Sequence, residues 1–322
     1  MIHRRRWLAG ATAAALLPAL ARAQSFPSRP IRIVVPFGPG GIADLTARAV
    51  GHKLGEGLHQ SVIIDNKPGA GGIVAGESVA KAEPDGHTLL LMSNGTAVSA
   101  GLFKTLPFDA RRDFAPVITI GFFDIAVLTG VKGRFNSMKD MLAFAKANPG
   151  KLNIATINIG STQHLAAELL KSTAAVDFQV VPFNASPAVL SALLGGQVDA
   201  VVEILGPMMT QIDAKAVRPL AVMGAKRAPA LPEVPTVAES GVRGFDASSW
   251  NALAAPARTP PQVIALLNRE ANKALASPEL RKQLADLHVA PAGGTPGQLR
   301  DLLDSEIRRW SDVIVRANVP RQ

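Results

Sequence analysis

The stretch IRIVVPFGPGGIADLTAR, which runs from Ile31 to Arg48, decides the fold of this chain. An apolar run comes first, a Pro/Gly turn follows, and apolar residues then recur at helical spacing, with Asp44 and Arg48 four positions apart. This order predicts a buried strand that passes through a tight turn into the start of a helix.

The glycine-rich turn of this unit is a candidate anion-binding site. The first turn of a helix has unpaired backbone N–H groups and a partial positive charge. Gly38, Gly40 and Gly41 carry no Cβ that would keep a ligand away from these donors. The alternative is a tight turn that needs glycine and binds nothing, and the turn alone does not decide between the two.

The first 23 residues have the pattern of an export signal. Arg4, Arg5 and Arg6 precede an apolar Ala/Leu stretch, and the sequence ARA at 21–23 fits a small-x-small cleavage site. Arg4 and Arg5 also resemble a twin-arginine signal, although Arg6 fits an ordinary basic leader equally well. We expect residues 1–23 to be cleaved and the rest of the chain to reach the periplasm.

The composition argues against several classes of function. The 322 residues include no Cys, and the six His show no HExxH or paired ligand spacing, so we expect no disulfide and no metal site. The net charge of +9 forms no basic stripe, and the chain has no Tyr and only three Trp, which argues against nucleic-acid binding. We expect a monomer without a cofactor that binds a small anion.

Strands and helices alternate along the chain, which predicts mostly parallel sheets covered by helices. A second such cycle begins after an apolar run at 121–129, and the chain crosses back near 246–253. We predict two lobes joined by a hinge of two crossings. Lobe 1 comprises residues 24–122 and 250–322, and lobe 2 comprises residues 123–249.

The candidate ligand-binding residues lie in turns that follow strands, because ligands of open α/β sheets bind beyond the carboxyl ends of the strands. Asp44 is expected first to position its turn, and Glu203 either contacts a positive ligand group or is an exposed charge at the rim. His164 is expected to pack or cap rather than to catalyse. The candidates are Phe37, Gly38, Gly40, Gly41, Ile42, Ala43, Asp44, Asn94, Gly95, Thr96, Gly160, Ser161, Thr162, Asn184 and Glu203.

Five motifs, in order and at matching spacing, make the whole mature chain resemble the Bug family, the periplasmic receptors of tripartite tricarboxylate transporters. The motifs are PFGPGGIAD with AR (36–44, 47–48), PGAGGIVAG (68–76), GSTQHLAAEL (160–169), LLGGQVD (193–199) and ALPEVPTVAESG (230–241). The resemblance implies two α/β lobes of the type II periplasmic-binding kind that close on a small carboxylate. It also implies membrane permease subunits as partners and a carboxylate grip by the backbone of residues 37–44.

The second lobe departs from the family pattern. Isoleucines at 157 and 159 stand where a small, Gly-rich approach is common, and residues 184–186 read Asn-Ala-Ser where Lys-Gly is common. Glu203 takes a position that is usually Asp. These differences indicate a less polar wall and leave dicarboxylates, amino acids and aromatic acids all open as ligands.

Two other functions remain open at this point. Gly38, Gly40 and Ala43, followed by Asp65, also fit the loose dinucleotide fingerprint of an exported NAD(P)-dependent oxidoreductase. Against an enzyme, Pro39 removes a donor from the turn, and no acid/base pair accompanies it. A periplasmic sensor subunit for a carboxylate has the same sequence features as a transport receptor.

Overall fold

The computed structural model describes residues 26–316 and 318–322 of the chain. The predicted export signal at residues 1–23 lies outside these ranges. Within them, none of the helices combines the length and the apolar character that crossing a membrane requires.

The first third of the chain forms repeated strand–helix units. In α1, buried residues recur at Ala43, Ala47, Val50 and Leu54, the spacing of one helix face packed on a sheet. The elements are β1 (Ile31–Val35), α1 (Ile42–Leu58), β2 (Val62–Asn66), a 3-10 helix (Ala70–Gly72), α2 (Ile73–Ala80), β3 (Thr88–Ser93) and α3 (Asn94–Leu102).

The middle of the chain forms the second lobe, and the last part returns to the first. The middle elements are β4 (Phe114–Gly130), α4 (Met138–Ala147), β5 (Asn153–Ile157), α5 (Thr162–Thr173), β6 (Gln179–Phe183), α6 (Ser186–Leu194), β7 (Ala200–Ile204), α7 (Leu205–Asp213) and β8 (Val217–Val222). The last elements are β9 (Ser248–Pro256), α8 (Pro261–Ala276), α9 (Pro278–Asp286), β10 (Val289–Gly293) and α10 (Pro296–Arg316).

The strands form one continuous path in the order β2-β1-β3-β9-β4-β7-β5-β6, with β8 and β10 also paired to β4. In the first lobe β1 runs parallel to β2 and β3, and in the second lobe β5 runs parallel to β6 and β7. The antiparallel strands β4 and β9 join these two groups of parallel strands. Strand β4 pairs with β9 as far as Asp124 and with β7 from Ile125 onwards. The predicted two-lobed α/β fold is confirmed.

The C-terminal helices pack on the first lobe, as predicted. Helix α8 packs against α1, and α10 packs against α3. Trp310 of α10 is fully buried, and its indole N–H donates to Asn94 Oδ1 at 3.1 Å. The last segment of the chain therefore completes the core of the lobe that the first segment begins.

The structure corrects two local predictions. Residues 94–96 are not a turn but the first turn of α3, because the Ser93 hydroxyl accepts the Gly95 N–H and Thr96 closes a capping box. Strand β4 begins at Phe114 rather than near Gly121. Both of its faces are largely buried, so it lacks the alternation of polar and apolar residues that marks a strand in sequence.

Candidate ligand-binding site

The two lobes enclose a cavity at the carboxyl ends of their parallel strands. Its volume is about 20 Å³, which is room for about one or two water molecules. A ligand of several heavy atoms therefore enters while the lobes are apart. Of the predicted site residues, the cavity is lined by Phe37, Gly38, Gly41, Ile42, Ala43, Thr162 and Asn184.

The N-terminus of α1 forms the first-lobe wall of the cavity. Gly40 has a φ of +83°, a left-handed conformation that favours glycine, and turns the chain from β1 towards α1. Gly41 is the N-cap residue, and no side chain caps this end of the helix. The N–H groups of Gly41, Ile42 and Ala43 therefore remain as unpaired donors, with a partial positive charge, at the wall.

Asp44 lies behind this wall and does not line the cavity. Its Oδ2 atom accepts hydrogen bonds from the Gly40 N–H and from Arg48 Nε, each at 3.0 Å. Burial opposes ionisation, but the hydrogen bonds from Arg48 and Gly40 outweigh it and lower the pKa of Asp44 from 3.8. The ionised carboxylate holds the turn in shape, and its charge is paired with Arg48.

Helix α5 brings a second N-terminus to the cavity from the other lobe. Ser161 caps it, since its hydroxyl accepts the His164 N–H at 3.1 Å. The hydroxyl of Thr162 lies 3.1 Å from that of Ser249 on β9. The hydroxyl group of Ser161 is thus engaged in the cap of α5. Thr162 lines the cavity and connects the second lobe to β9.

The lobes are in close contact beside the cavity. A Cβ added to Gly38 would lie 2.8 Å from the Cβ of Ala185 and 3.0 Å from the carbonyl oxygen of Asn184. The Gly71 N–H donates to the Ile159 carbonyl at 2.7 Å, which joins the second glycine-rich loop to the turn before α5. A side chain at Gly38 would push the lobes apart, whereas a Cβ on Gly71 would clash with Ser99 and Phe103 of its own lobe.

Gly160 lies at this lobe contact and not in the cavity wall. Its φ is +83°, and a Cβ there would meet the Gly71 Cα at 2.6 Å. Both reasons restrict this position to glycine in the closed arrangement. Its part in the site is to let the turn before α5 approach the first lobe.

Glu203 is neither an exposed rim charge nor part of the cavity wall. It is 0% exposed, and its Oε1 atom accepts the Gln163 amide N–H and the Ile204 backbone N–H, each at 2.7 Å. Burial raises the pKa of Glu203, and hydrogen bonds from Gln163, Ile204 and Ser186 oppose that rise. Glu203 acts on the cavity through these three neighbours, all of which line it.

Asn94, Gly95 and Thr96 also lie behind the cavity wall. Asn94 is 0% exposed, and its amide N–H donates to the Ser248 carbonyl at 3.4 Å while its oxygen accepts from Trp310. The side chain of Thr96 accepts the Ser93 N–H in the capping box. These residues connect α3 to β9 and α10 and hold Ser93, which does line the cavity.

His164 is packed inside α5. Burial lowers the pKa of His164 from 6.5 to about 4, so its imidazole is neutral at physiological pH. Within residues 26–316 and 318–322, no group of three or more His, Asp or Glu side chains is arranged to hold a metal ion. Asp65, the acid of the dinucleotide interpretation, pairs with Arg32 and Lys67.

Sequence reasoning missed the cavity residues that come from β4, β9 and the starts of the second-lobe helices. Gln163 and Ser186 occupy first-turn positions of α5 and α6, so the helix N-terminus rule, applied to every helix of lobe 2, would have found them. The crossing strands gave no such signal. The cavity residues outside the candidate set are Ser93, Phe123, Gln163, Ile204, Ser249 and Asn251, together with Ile157, Ala185 and Ser186, which the family pattern had already assigned to the second-lobe wall.

The comparison with known protein families agrees with this architecture. The model of the tripartite tricarboxylate transporter family receptor matches residues 46–319. A relative from Pseudomonas sp. strain P51, described as a UPF0065 protein in the tcbD-tcbE intergenic region, is 41% identical over 318 residues, covering 98% of this chain and 94% of its own.

Solved structures give the same result. R. palustris Rpa4515 with adipate superposes with a TM-score of 0.87 at 33% identity, covering 91% of this chain and 98% of that one. The periplasmic binding protein BugD gives a TM-score of 0.88 at 29% identity, covering 92% of this chain and 100% of that one. The predicted resemblance to Bug proteins is confirmed, and the chain belongs to the receptor family of the tripartite tricarboxylate transporters.

Proposed function

We propose that this protein is an extracytoplasmic receptor that captures a small carboxylate between its lobes and delivers it to the permease subunits of a tripartite tricarboxylate-type transporter. The observation that carries the proposal is the uncapped N-terminus of α1 at the wall of a cavity between two lobes. Family membership and the adipate in a structure that is 33% identical support it.

The charges around the cavity favour an anion. None of the described residues that line it is charged, and the nearby carboxylates of Asp44 and Glu203 are turned to Arg48 and to Gln163. A carboxylate at the first turn of α1 therefore meets backbone donors and a favourable helix dipole without facing another negative side chain. On the opposite wall Thr162 offers a hydroxyl group, whereas the Ser186 hydroxyl donates to Glu203.

The mechanism is closure of the two lobes by a hinge. The small volume of the cavity means that a carboxylate enters an open form and is then enclosed. Bound ligand favours the closed form to the extent that it binds that form more tightly. The closed shape is the signal that we expect the permease to recognise, in the periplasm, after export of a monomer through the signal at residues 1–23.

Ligand-induced stabilisation tests the binding step. A true ligand at a hundredfold excess over its Kd raises the free energy of unfolding by about 2.7 kcal/mol, which a melting curve detects. The panel contains adipate, other dicarboxylates, amino acids and aromatic acids, together with NAD(H) and NADP(H). Stabilisation by a nucleotide and by no carboxylate would overturn the proposal in favour of an oxidoreductase.

A proline substitution tests the grip by the turn. Gly41→Pro removes one N–H at the cavity wall, and any Cβ at this position lies 3.1 Å from the Ser186 hydroxyl, so binding should be lost in a folded protein. Gly297→Pro, in the first turn of α10, is the matched control. Delivery to the permease is tested by uptake of the bound acid in cells with and without this receptor.

A further inference from the structure

Gln163 is a polar side chain of the second-lobe wall, and its hydrogen bond to Glu203 determines its orientation. It is the second residue of α5, it lines the cavity, and it is 5% exposed. Its amide nitrogen donates to Glu203 Oε1 at 2.7 Å. Glu203 is completely buried behind the wall, so the two ends of the Gln163 amide face different surroundings.

The second hydrogen bond of Glu203 fixes which end of the amide faces it. Glu203 Oε1 also accepts the Ile204 backbone N–H at 2.7 Å, so this oxygen acts as an acceptor. Turning the Gln163 amide around would place its carbonyl oxygen against that acceptor. The same orientation holds when Glu203 is protonated on Oε2, because Oε1 still accepts both N–H groups.

The carbonyl oxygen of Gln163 is consequently directed away from Glu203. No described residue donates a hydrogen bond to this oxygen, and it is not sealed from solvent. Since the side chain lines the cavity, this oxygen presents an acceptor there. The accessible wall of the cavity is largely apolar, and Phe123, Ile157 and Ile204 are part of it.

We propose that Gln163, held by Glu203, is a specificity-determining residue whose carbonyl oxygen accepts a hydrogen bond from a hydroxyl group of the ligand. The proposal rests on the proposed carboxylate-binding function and narrows its ligand to hydroxy acids. A ligand without a donor at this place leaves a buried acceptor unpaired, which costs affinity. A hydroxyl is favoured over an ammonium because no charged side chain among the described residues lines the cavity.

Matched pairs of acids test the proposal by calorimetric titration of the mature full chain. The pairs are lactate and propanoate, malate and succinate, mandelate and phenylacetate, and 4-hydroxybenzoate and benzoate. In at least one pair the hydroxy acid should bind about tenfold or more tightly than its partner. Equal affinities within every pair that binds would overturn the role of Gln163.

Substitutions assign the preference to the amide. Gln163→Met has a similar volume without the acceptor, so the ratio of the affinities for the hydroxy acid and for its partner should fall to about one. Glu203→Gln should keep that ratio, because an amide oxygen can accept the same two N–H groups. Gln262→Met, on the exposed face of α8, is the matched control. If folded Gln163→Met keeps the affinity ratio of the wild type, the proposal is wrong. Failure of every carboxylate to bind would instead contradict the proposed function, and the hydroxyl preference with it.

Discussion

Gly38 of the first lobe and Ala185 of the second approach so closely that a Cβ on Gly38 would lie only 2.8 Å from that of Ala185. The φ of Gly38 is not in the left-handed region, so other residues fit its backbone without strain. What restricts this position is the opposite lobe. The contact exists only when the lobes are together, which makes it a direct test of closure.

Gly38→Val should hold the lobes apart and weaken binding of the best carboxylate at least about tenfold, since each 1.4 kcal/mol of lost contact is a factor of ten. The free energy of unfolding should change little, because the open form accommodates the side chain. Small-angle scattering of the ligand-bound protein and calorimetric titration measure the two effects. Gly297→Val, at an exposed position of α10, is the control; unchanged affinity in Gly38→Val would contradict tight closure at this contact.

Asp44→Asn should destabilise the fold by about 1 to 2 kcal/mol, because a hydrogen-bonded charge pair with one buried partner is lost while the Gly40 N–H keeps an acceptor. The pKa of Asp44 lies below 3.8 in the folded protein, so its contribution is present above that pH and is lost as the pH falls further. Urea unfolding of the wild type and the variant measures the difference. Asp286→Asn, which breaks the exposed pair with Lys282, should change stability by less than about 1 kcal/mol.

His164 should make the protein less stable in mild acid. Its pKa is about 4 when folded and 6.5 as an unperturbed group, so the unfolded chain binds an extra proton between these values. The loss begins below pH 6.5 and reaches up to about 3 kcal/mol near pH 4. Melting curves of the wild type and of His164→Gln should diverge over this range, with the variant less sensitive to pH. His52→Gln, at an exposed side chain, should follow the wild type.

Thr162 and Ser249 should be energetically coupled. Their hydroxyl groups are 3.1 Å apart and both residues are buried, so a double-mutant cycle of Thr162→Val and Ser249→Ala should give a coupling free energy of about 0.5 to 1.5 kcal/mol. Urea unfolding of the four proteins provides the cycle. Thr162→Val combined with Ser305→Ala, an exposed position on α10, should be additive; additivity in the first cycle would show that the hydroxyl pair contributes nothing.

The parts of the fold that the sequence predicted correctly have local signals. Helices α8 and α9 begin at Pro261 and Pro278, where a proline in the first turn costs no hydrogen bond and marks the start. The turn at Gly40 and Gly41 was recognisable because its glycines stand between an apolar run and a helical pattern. These features depend on neighbours in the chain and not on distant contacts.

The parts that were missed depend on residues far apart in the chain. Asn94 and Gly95 have the composition of a turn, and only the capping of α3 by Ser93 and its packing on α10 make them helical. Glu203 follows the pattern of a strand end, which cannot show that Gln163 and Ser186 arrive from other elements to cover it. Burial of a polar side chain is a property of the assembled fold, so it escapes a reading of local sequence.

Strand β4 is unbroken for 17 residues and changes partner from β9 to β7 after Asp124. Because a hydrogen-bonded strand connects the two lobes, we expect them to move by bending of that strand rather than about a flexible loop. We expect the bending of β4 to be concentrated at the register shifts beside Thr119 and Val127, because such irregularities increase the local twist of a strand. We therefore expect the amide protons around Asp124 to exchange with deuterium among the slowest in the molecule.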